Sequence, residues 1–125
     1  EREGNTIRKI DTEGIISTIA GTGEKGYTGD GEDAKYALLN GPKAIRCDND
    51  GNILVVDTEN HALRIIYTEN NIINTIAGGI LGSGGDGGPS SMAGLARPHG
   101  VAMDLSGIIY IADSENHRIR AIYHQ

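Results

Sequence analysis

Asp113-Ser114-Glu115-Asn116-His117-Arg118-Ile119-Arg120-Ala121-Ile122 repeats, with small changes, the stretch Asp57-Thr58-Glu59-Asn60-His61-Ala62-Leu63-Arg64-Ile65-Ile66 that lies 56 residues before it. Working outward, the same step recurs. Gly29-Asp30-Gly31 returns as Gly85-Asp86-Gly87, and Pro42, Asp48 and Gly51 return as Pro98, Asp104 and Gly107. Ile7-Arg8-Lys9-Ile10 is a third copy of the Leu63-Arg64-Ile65-Ile66 run. Thr18-Ile19-Ala20-Gly21 returns at Thr75-Ile76-Ala77-Gly78, one residue out of step. A chain of 125 residues thus holds two full periods and a remnant. Fixed-period self-similarity is the signature of stacked repeat units, each too thin to bury its own apolar faces.

Within one period four short apolar runs are separated by turn residues. They lie at 43–47, 53–56, 62–67 and 72–76. Asp48-Asn49-Asp50-Gly51 reads as a hairpin turn, in which an Asx side chain bonds the backbone and glycine supplies positive φ. Asp57 to Asn60 and Glu69-Asn70-Asn71 read as further Asx-rich turns. Connections this short join antiparallel neighbours, because a parallel crossover needs a dozen or more residues. Two long loops, 22–41 and 79–97, each carry a Gly-Asp-Gly core and a short helix-capable stretch, at 33–39 and 89–95. Ala37, Leu39, Ala93 and Leu95 are expected to tuck these loops onto the sheets. The loops lack the Gly-Lys-Ser/Thr of a phosphate cradle.

Composition agrees with short strands and tight turns. There are 19 glycines and 18 isoleucines, with no Phe or Trp. A formal charge of −6 weighs against a general phosphate-backbone binder, which needs a basic face. The single cysteine, Cys47, excludes an internal disulfide and a cysteine-built zinc site. It stands where the next copy has Met103 and is expected to be a small core residue. No apolar run approaches the roughly 20 residues that cross a bilayer as a helix.

The run Gly107-Ile108-Ile109-Tyr110-Ile111-Ala112-Asp113-Ser114-Glu115-Asn116-His117-Arg118-Ile119-Arg120 resembles the signature of the NHL repeat. So do Thr18 to Gly23 with Gly29-Asp30-Gly31, and Gly85-Asp86-Gly87-Gly88-Pro89 with Arg97-Pro98-His99-Gly100-Val101-Ala102. The resemblance implies an all-β fold, β-propeller blades of four antiparallel strands, with an incomplete propeller in this chain. It divides the chain into the outer strands of one blade at 1–21, a complete blade at 42–78 and the inner three strands of the next at 98–125. It places the strand after Pro98 innermost, beside the central channel. The first copy departs from the pattern where Glu32-Asp33 replaces Gly-Pro and where Ala44 replaces Gly100, and the remnant Glu1 to Asn5 has lost the Asp and Asn-His of the turn. A blade is buried only between two others, so the chain is expected to be a section of a larger propeller or to assemble with copies of itself.

The resemblance fixes fold rather than activity, since one fold hosts many functions. The reading adopted is a non-catalytic scaffold or interaction module that binds a protein or other ligand through loop faces. His99, His61 and His117 are its candidate ligand-binding residues. His99 stands alone at the start of an inner strand, where the other copy has Lys43. His61 and His117 occupy matching turns, for which turn packing is the plainer explanation. The alternative is a metal-dependent lyase or lactonase with a central-channel site, for which His99, Asp48 and Asp104 are the available residues. No catalytic residue, metal ligand or cofactor is assigned. A protein partner or self-association is expected, with nucleic acid disfavoured by charge. Asp57 and Asp113 are expected to accept N–H bonds from their own turns, and Asp30 and Asp86 to organise their loops. Arg8, Arg64 and Arg120 are expected to pair with acids of a neighbouring blade.

Overall fold

In the computed structural model, which describes residues 4–123, the chain is a stack of three antiparallel sheets. The first sheet holds β1 (Ile7–Ile10) and β2 (Ile16–Ala20). The second holds β3 (Ala44–Cys47), β4 (Ile53–Asp57), β5 (Ala62–Tyr67) and β6 (Ile72–Gly78), in that order. The third holds β7 (Gly100–Met103), β8 (Ile109–Asp113) and β9 (Arg118–Ile122). The ends of the first and last segments read from the sequence, 1–3 and 124–125, lie outside the described residues.

The central strands of the second sheet are short apolar runs buried on both faces, and the turns fix where they end. Asp48 Oδ1 accepts from the N–H groups of Asp50 and Asn52, and Asp104 Oδ1 from those of Ser106 and Ile108. Register then follows. Ile45 stands opposite Val55 and Val101 opposite Ile111. The helix-capable stretches form only single 3-10 turns, Ala34–Tyr36 and Ser90–Met92. Ala37 and Leu39, like Ala93 and Leu95, are buried and pin the long loops to the sheets.

The core consists of two seams between sheets. Because side chains alternate along a strand, the second sheet offers one apolar face to each neighbour. Val55, Ile66 and Ile73 pack with Ile7 and Ala20 of the first sheet and with Ala34, Ala37 and Leu39. Leu54, Val56, Leu63 and Ile65 pack toward the third sheet, against Ile111, Val101, Met103 and Ile109. These are blades of an incomplete β-propeller. The repeat supplies a comparison. Leu63 is 0% exposed, whereas its counterpart Ile119 is 70% exposed. At the other end of the stack, Ile66 is 0% exposed and its counterpart Ile10 is 70% exposed. Cys47 also faces outward, contrary to the core position expected from sequence, because β3 is exposed along Ile45 to Cys47.

Candidate functional site

Each long loop is bound by a buried arginine of the sheet it leads into, the second loop also by Arg118 through Asp86 and the carbonyl of Ser83. Arg64, fully buried on β5, donates from Nη1 to Asp57 Oδ2 at 3.2 Å and to Leu38 O at 2.9 Å. Its Nη2 donates to Thr28 O at 2.8 Å and to Asp30 Oδ1 at 2.9 Å. Its Cζ lies 4.9 Å from the centre of the Tyr27 ring. Arg120 repeats the pattern with Asp113, Gly94 O, Gly84 O and Asp86. These arginines therefore pair with the aspartate of their own sheet and with the Gly-Asp-Gly loop that leads into it. The expectation of acids from a neighbouring blade does not hold for them. Arg8 is exposed on β1.

Asp57 and Asp113 also differ from expectation. Neither caps its own turn. Asp57 Oδ1 instead accepts from the N–H of Asn40, and Asp113 Oδ1 from that of Ala96, each 17 residues back, at 2.8 Å. Asn60 and Asn116 complete the arrangement, bonding Asp57 and Asp113 and the carbonyls of Gly26 and Gly82. Burial pushes the Asp57 carboxyl up, against the pull of the Asn40 N–H, Asn60 and Arg64. The Asp-x-x-Asn-x-x-x-Arg spacing, repeated with Gly-Asp-Gly at a fixed distance, carried this network in the sequence. The pairing of Arg with the loop aspartate was the part missed.

His61 sits at the seam between the second and third sheets. It has φ 55, the left-handed region, and its Nδ1 accepts from the N–H of Arg97 at 3.0 Å. One period earlier, Asn5 has φ 53 and its Oδ1 accepts from the N–H of Gly41 at 2.9 Å. The two residues are structural equivalents. In each case a positive-φ turn residue of one blade accepts a hydrogen bond from the segment entering the next. Asn and His tolerate this conformation better than most residues. Replacing His61 by Asn should change stability by under about 0.5 kcal/mol, whereas His61→Ala should cost about 1–2 kcal/mol, from an unsatisfied N–H and a strained φ. Thermal denaturation of the two variants checks this. His117 has the same conformation, φ 56, and is exposed.

A second link crosses the same seam. Arg97 donates to Glu59 from Nε and Nη2, and to Glu115 from Nη1 at 2.8 Å. The Arg97 hydrogen bonds hold the Glu59 carboxyl below the usual range. An acid with a depressed folded value stabilises above its unfolded value, about 4.3, and loses that contribution as pH falls through the folded one. Glu59→Gln should therefore flatten the loss of stability below pH about 4 relative to the parent, measured as urea midpoints against pH.

His99 lies at the end of the stack where the inner strands begin. Its ring Nε2 is 2.8 Å from Lys43 Nζ, so the two repeat-equivalent residues meet across the seam. They border an open cavity of about 570 Å³ that Arg8, Ile7, Pro42, Ala44 and Ile45 also line. Among the described residues that line it there is no carboxylate. The structure keeps the three histidines apart in role: His61 in the seam, His99 at the cavity, His117 exposed beyond the third sheet. Among the described residues, no three His, Cys, Asp or Glu side chains converge as a metal site. No helix there is long and apolar enough to cross a membrane.

The profile of the NHL repeat matches residues 39–66 and 95–122, the stretches that hold Asp57, Asn60 and Arg64 and their counterparts Asp113, Asn116 and Arg120. The chain carries NHL repeats. Among curated proteins, it is 38% identical over 82 residues to NHL repeat-containing protein 2 of Gallus gallus, covering 65% of this chain and 11% of that protein. It is 29% identical over 131 residues to Protein SUPPRESSOR OF QUENCHING 1, chloroplastic, of Arabidopsis thaliana, covering 98% of this chain and 12% of that protein. The NHL-repeat chain thus spans about a tenth of the length of these relatives. A structure from Bacteroides thetaiotaomicron, of a protein of unknown function, superposes with a TM-score of 0.84 at 22% identity, over 97% of this chain and 30% of that one. An auxiliary nutrient binding protein from the same species superposes with a TM-score of 0.69 at 21% identity, over 95% of this chain and 32% of that one. At these identities the structural likeness speaks for the fold.

Proposed function

We propose that this NHL-repeat segment is a non-catalytic interaction scaffold, part of a larger propeller, whose loop face binds a protein through acidic groups. The division into outer strands at 1–21, a full blade at 42–78 and three inner strands at 98–125 belongs to this reading. The observation that carries the scaffold is the contrast in burial between repeat-equivalent residues. Leu63 is covered by the third sheet, while Ile119 offers the same face to solvent. A further blade meeting Ile119 would cover it as the third sheet covers Leu63, and His117 would accept an N–H from it as His61 does from Arg97.

The binding face is read from the cavity beside His99. Arg8, Lys43 and His99 border it with no carboxylate among the described lining residues, in a chain whose net charge is −6. Recognition residues commonly stand on loops over a rigid scaffold. His99 is thus the ligand-binding candidate retained, with His61 and His117 assigned to seams. Titration with an oligoglutamate peptide, followed by NMR of the histidine rings, tests this. Saturable movement of His99, absent in a Lys43→Ala/His99→Ala variant, is expected. No saturable movement at His99 would refute the loop-face site.

A further inference from the structure

Two seams join the three sheets, and each carries the same latch with different chemistry. At the first, Asn5 (φ 53) accepts from the N–H of Gly41 through Oδ1 at 2.9 Å. At the second, His61 (φ 55) accepts from the N–H of Arg97 through Nδ1 at 3.0 Å. A backbone N–H only donates, so this contact fixes Nδ1 as the ring nitrogen without a proton. An amide oxygen keeps its lone pairs throughout the physiological pH range, whereas imidazole Nδ1 accepts only while unprotonated. The donors differ as well. Gly41 has φ 64 and Arg97 has φ 44. Glycine adopts this region freely, but a residue with a Cβ is strained there and stays only while its surroundings hold it. The first latch is thus relaxed and indifferent to protons. The second is strained and rests on the side-chain type that changes charge between about pH 5 and 8.

We propose that the seam between the second and third sheets is an acid-released latch, in which proton uptake at His61 Nδ1 removes the acceptor for the Arg97 N–H and frees the Arg97 peptide from its strained conformation, while the Asn5 latch stays closed. The bond is present at neutral pH and lost as pH falls through the histidine range. The ring is half-buried, so solvent supplies the proton. Charged groups reach it from three segments. Glu59 stands on its own turn, Arg97 on the segment entering β7 and Lys43 on the segment entering β3, and the charges of Arg97, Lys43 and His61 all bear on Glu59. Glu115, on the matching turn of the third sheet, is reached through Arg97 Nη1. From the fourth side, Gly79 donates its N–H to His61 O and brings no charge. Hydrogen bonds from Arg97 hold the Glu59 carboxyl below its usual range, so Glu59 stays ionised while histidine titrates. It attracts a proton to the ring, and the imidazolium then competes with Arg97 for it. Thr58 Oγ1 donates to Pro98 O at 2.8 Å and does not titrate, so the release is confined to the residue before.

This inference goes beyond the loop-face reading, because it concerns the chain with no ligand bound. The test is amide hydrogen exchange on the full chain, read at Arg97 and Gly41, with each rate divided by the intrinsic rate at the same pH. Between pH about 7.5 and about 5.5, protection at Arg97 should fall by about tenfold and protection at Gly41 should hold. His61→Asn, which copies the first latch, should make protection at Arg97 independent of pH. Asn5→His, the reverse exchange, should give Gly41 the dependence that Arg97 shows in the parent. Lys43 and His99 meet across the same seam and are intact in both variants. A dependence that survives in His61→Asn would therefore belong to them and overturn the inference. Constant protection at Arg97, equal losses at Arg97 and Gly41 in the parent, or an insensitive Gly41 in Asn5→His would overturn it as well.

Discussion

Arg64→Met should lower the stability of the fold by about 3–5 kcal/mol, the scale for breaking a buried ion pair by removing one partner. The arginine is fully buried and supports four acceptors on three segments: Asp57 at the end of β4, Asp30 in the glycine-rich loop, and the carbonyls of Thr28 and Leu38. Methionine fills much of the stem volume, so the loss comes mainly from charge and hydrogen bonding. Asp57 would remain fully buried with only the Asn40 N–H and Asn60 as donors. Urea unfolding gives the magnitude, and Arg8→Met is the control. Arg8 is exposed, so its replacement should stay within about 0.5 kcal/mol. Adding Asp57→Asn to Arg64→Met should recover part of the loss, because it removes the uncompensated charge. The deficit should also depend on pH. Burial already raises the Asp57 carboxyl, and loss of the guanidinium raises it further. An acid whose folded value is raised loses stability as pH rises from its unfolded value, about 3.9, toward the folded one. The deficit of Arg64→Met should therefore shrink as the pH is lowered toward about 4. A variant as stable as the parent at neutral pH would mean that the loop is held by something else.

The second large effect separates two residues that the repeat makes equivalent. Leu63→Ala should cost about 2–5 kcal/mol, as for other fully buried leucines. Ile119→Ala in the same chain should cost under about 0.5 kcal/mol, because its side chain is 70% exposed. The two occupy the same position on β5 and β9, one period apart. Leu63 has the third sheet over it and β6 beside its strand, whereas among the described residues Ile119 has neither a covering sheet nor a further strand beside β9. Denaturant midpoints of both variants supply the comparison. Equal costs would show that burial at these positions does not depend on a neighbouring blade.

The fold was legible because the repeat and the turn chemistry pointed the same way. The apolar runs Ile53 to Val56 and Ala62 to Tyr67, with Asp48 and Gly51 between β3 and β4, located strands to within a few residues of those observed. Helix-capable stretches failed to extend because Ala37 and Leu39, and likewise Ala93 and Leu95, are drawn onto a sheet and turn extended after one 3-10 turn. The role of Arg64 was not legible from charge. Its partner Asp30 is 34 residues away, and local reasoning could treat the aspartate only as a loop former. Asp57 was misread for the same reason: it bonds the Asn40 N–H and not its own turn. His61 became intelligible only when Asn5 was found in the same conformation with the same kind of partner. Cys47 shows the limit of reasoning by analogy with Met103, since an inner strand is covered only as far as its neighbours reach.

The dependence of each sheet on the next is best measured by light scattering on the purified 125-residue chain across a range of concentrations. Self-associated or partly unfolded material is the expected result, because Ile10 and Ile119 leave both ends of the stack apolar. A folded, monodisperse species at 13.2 kDa at every concentration would contradict it.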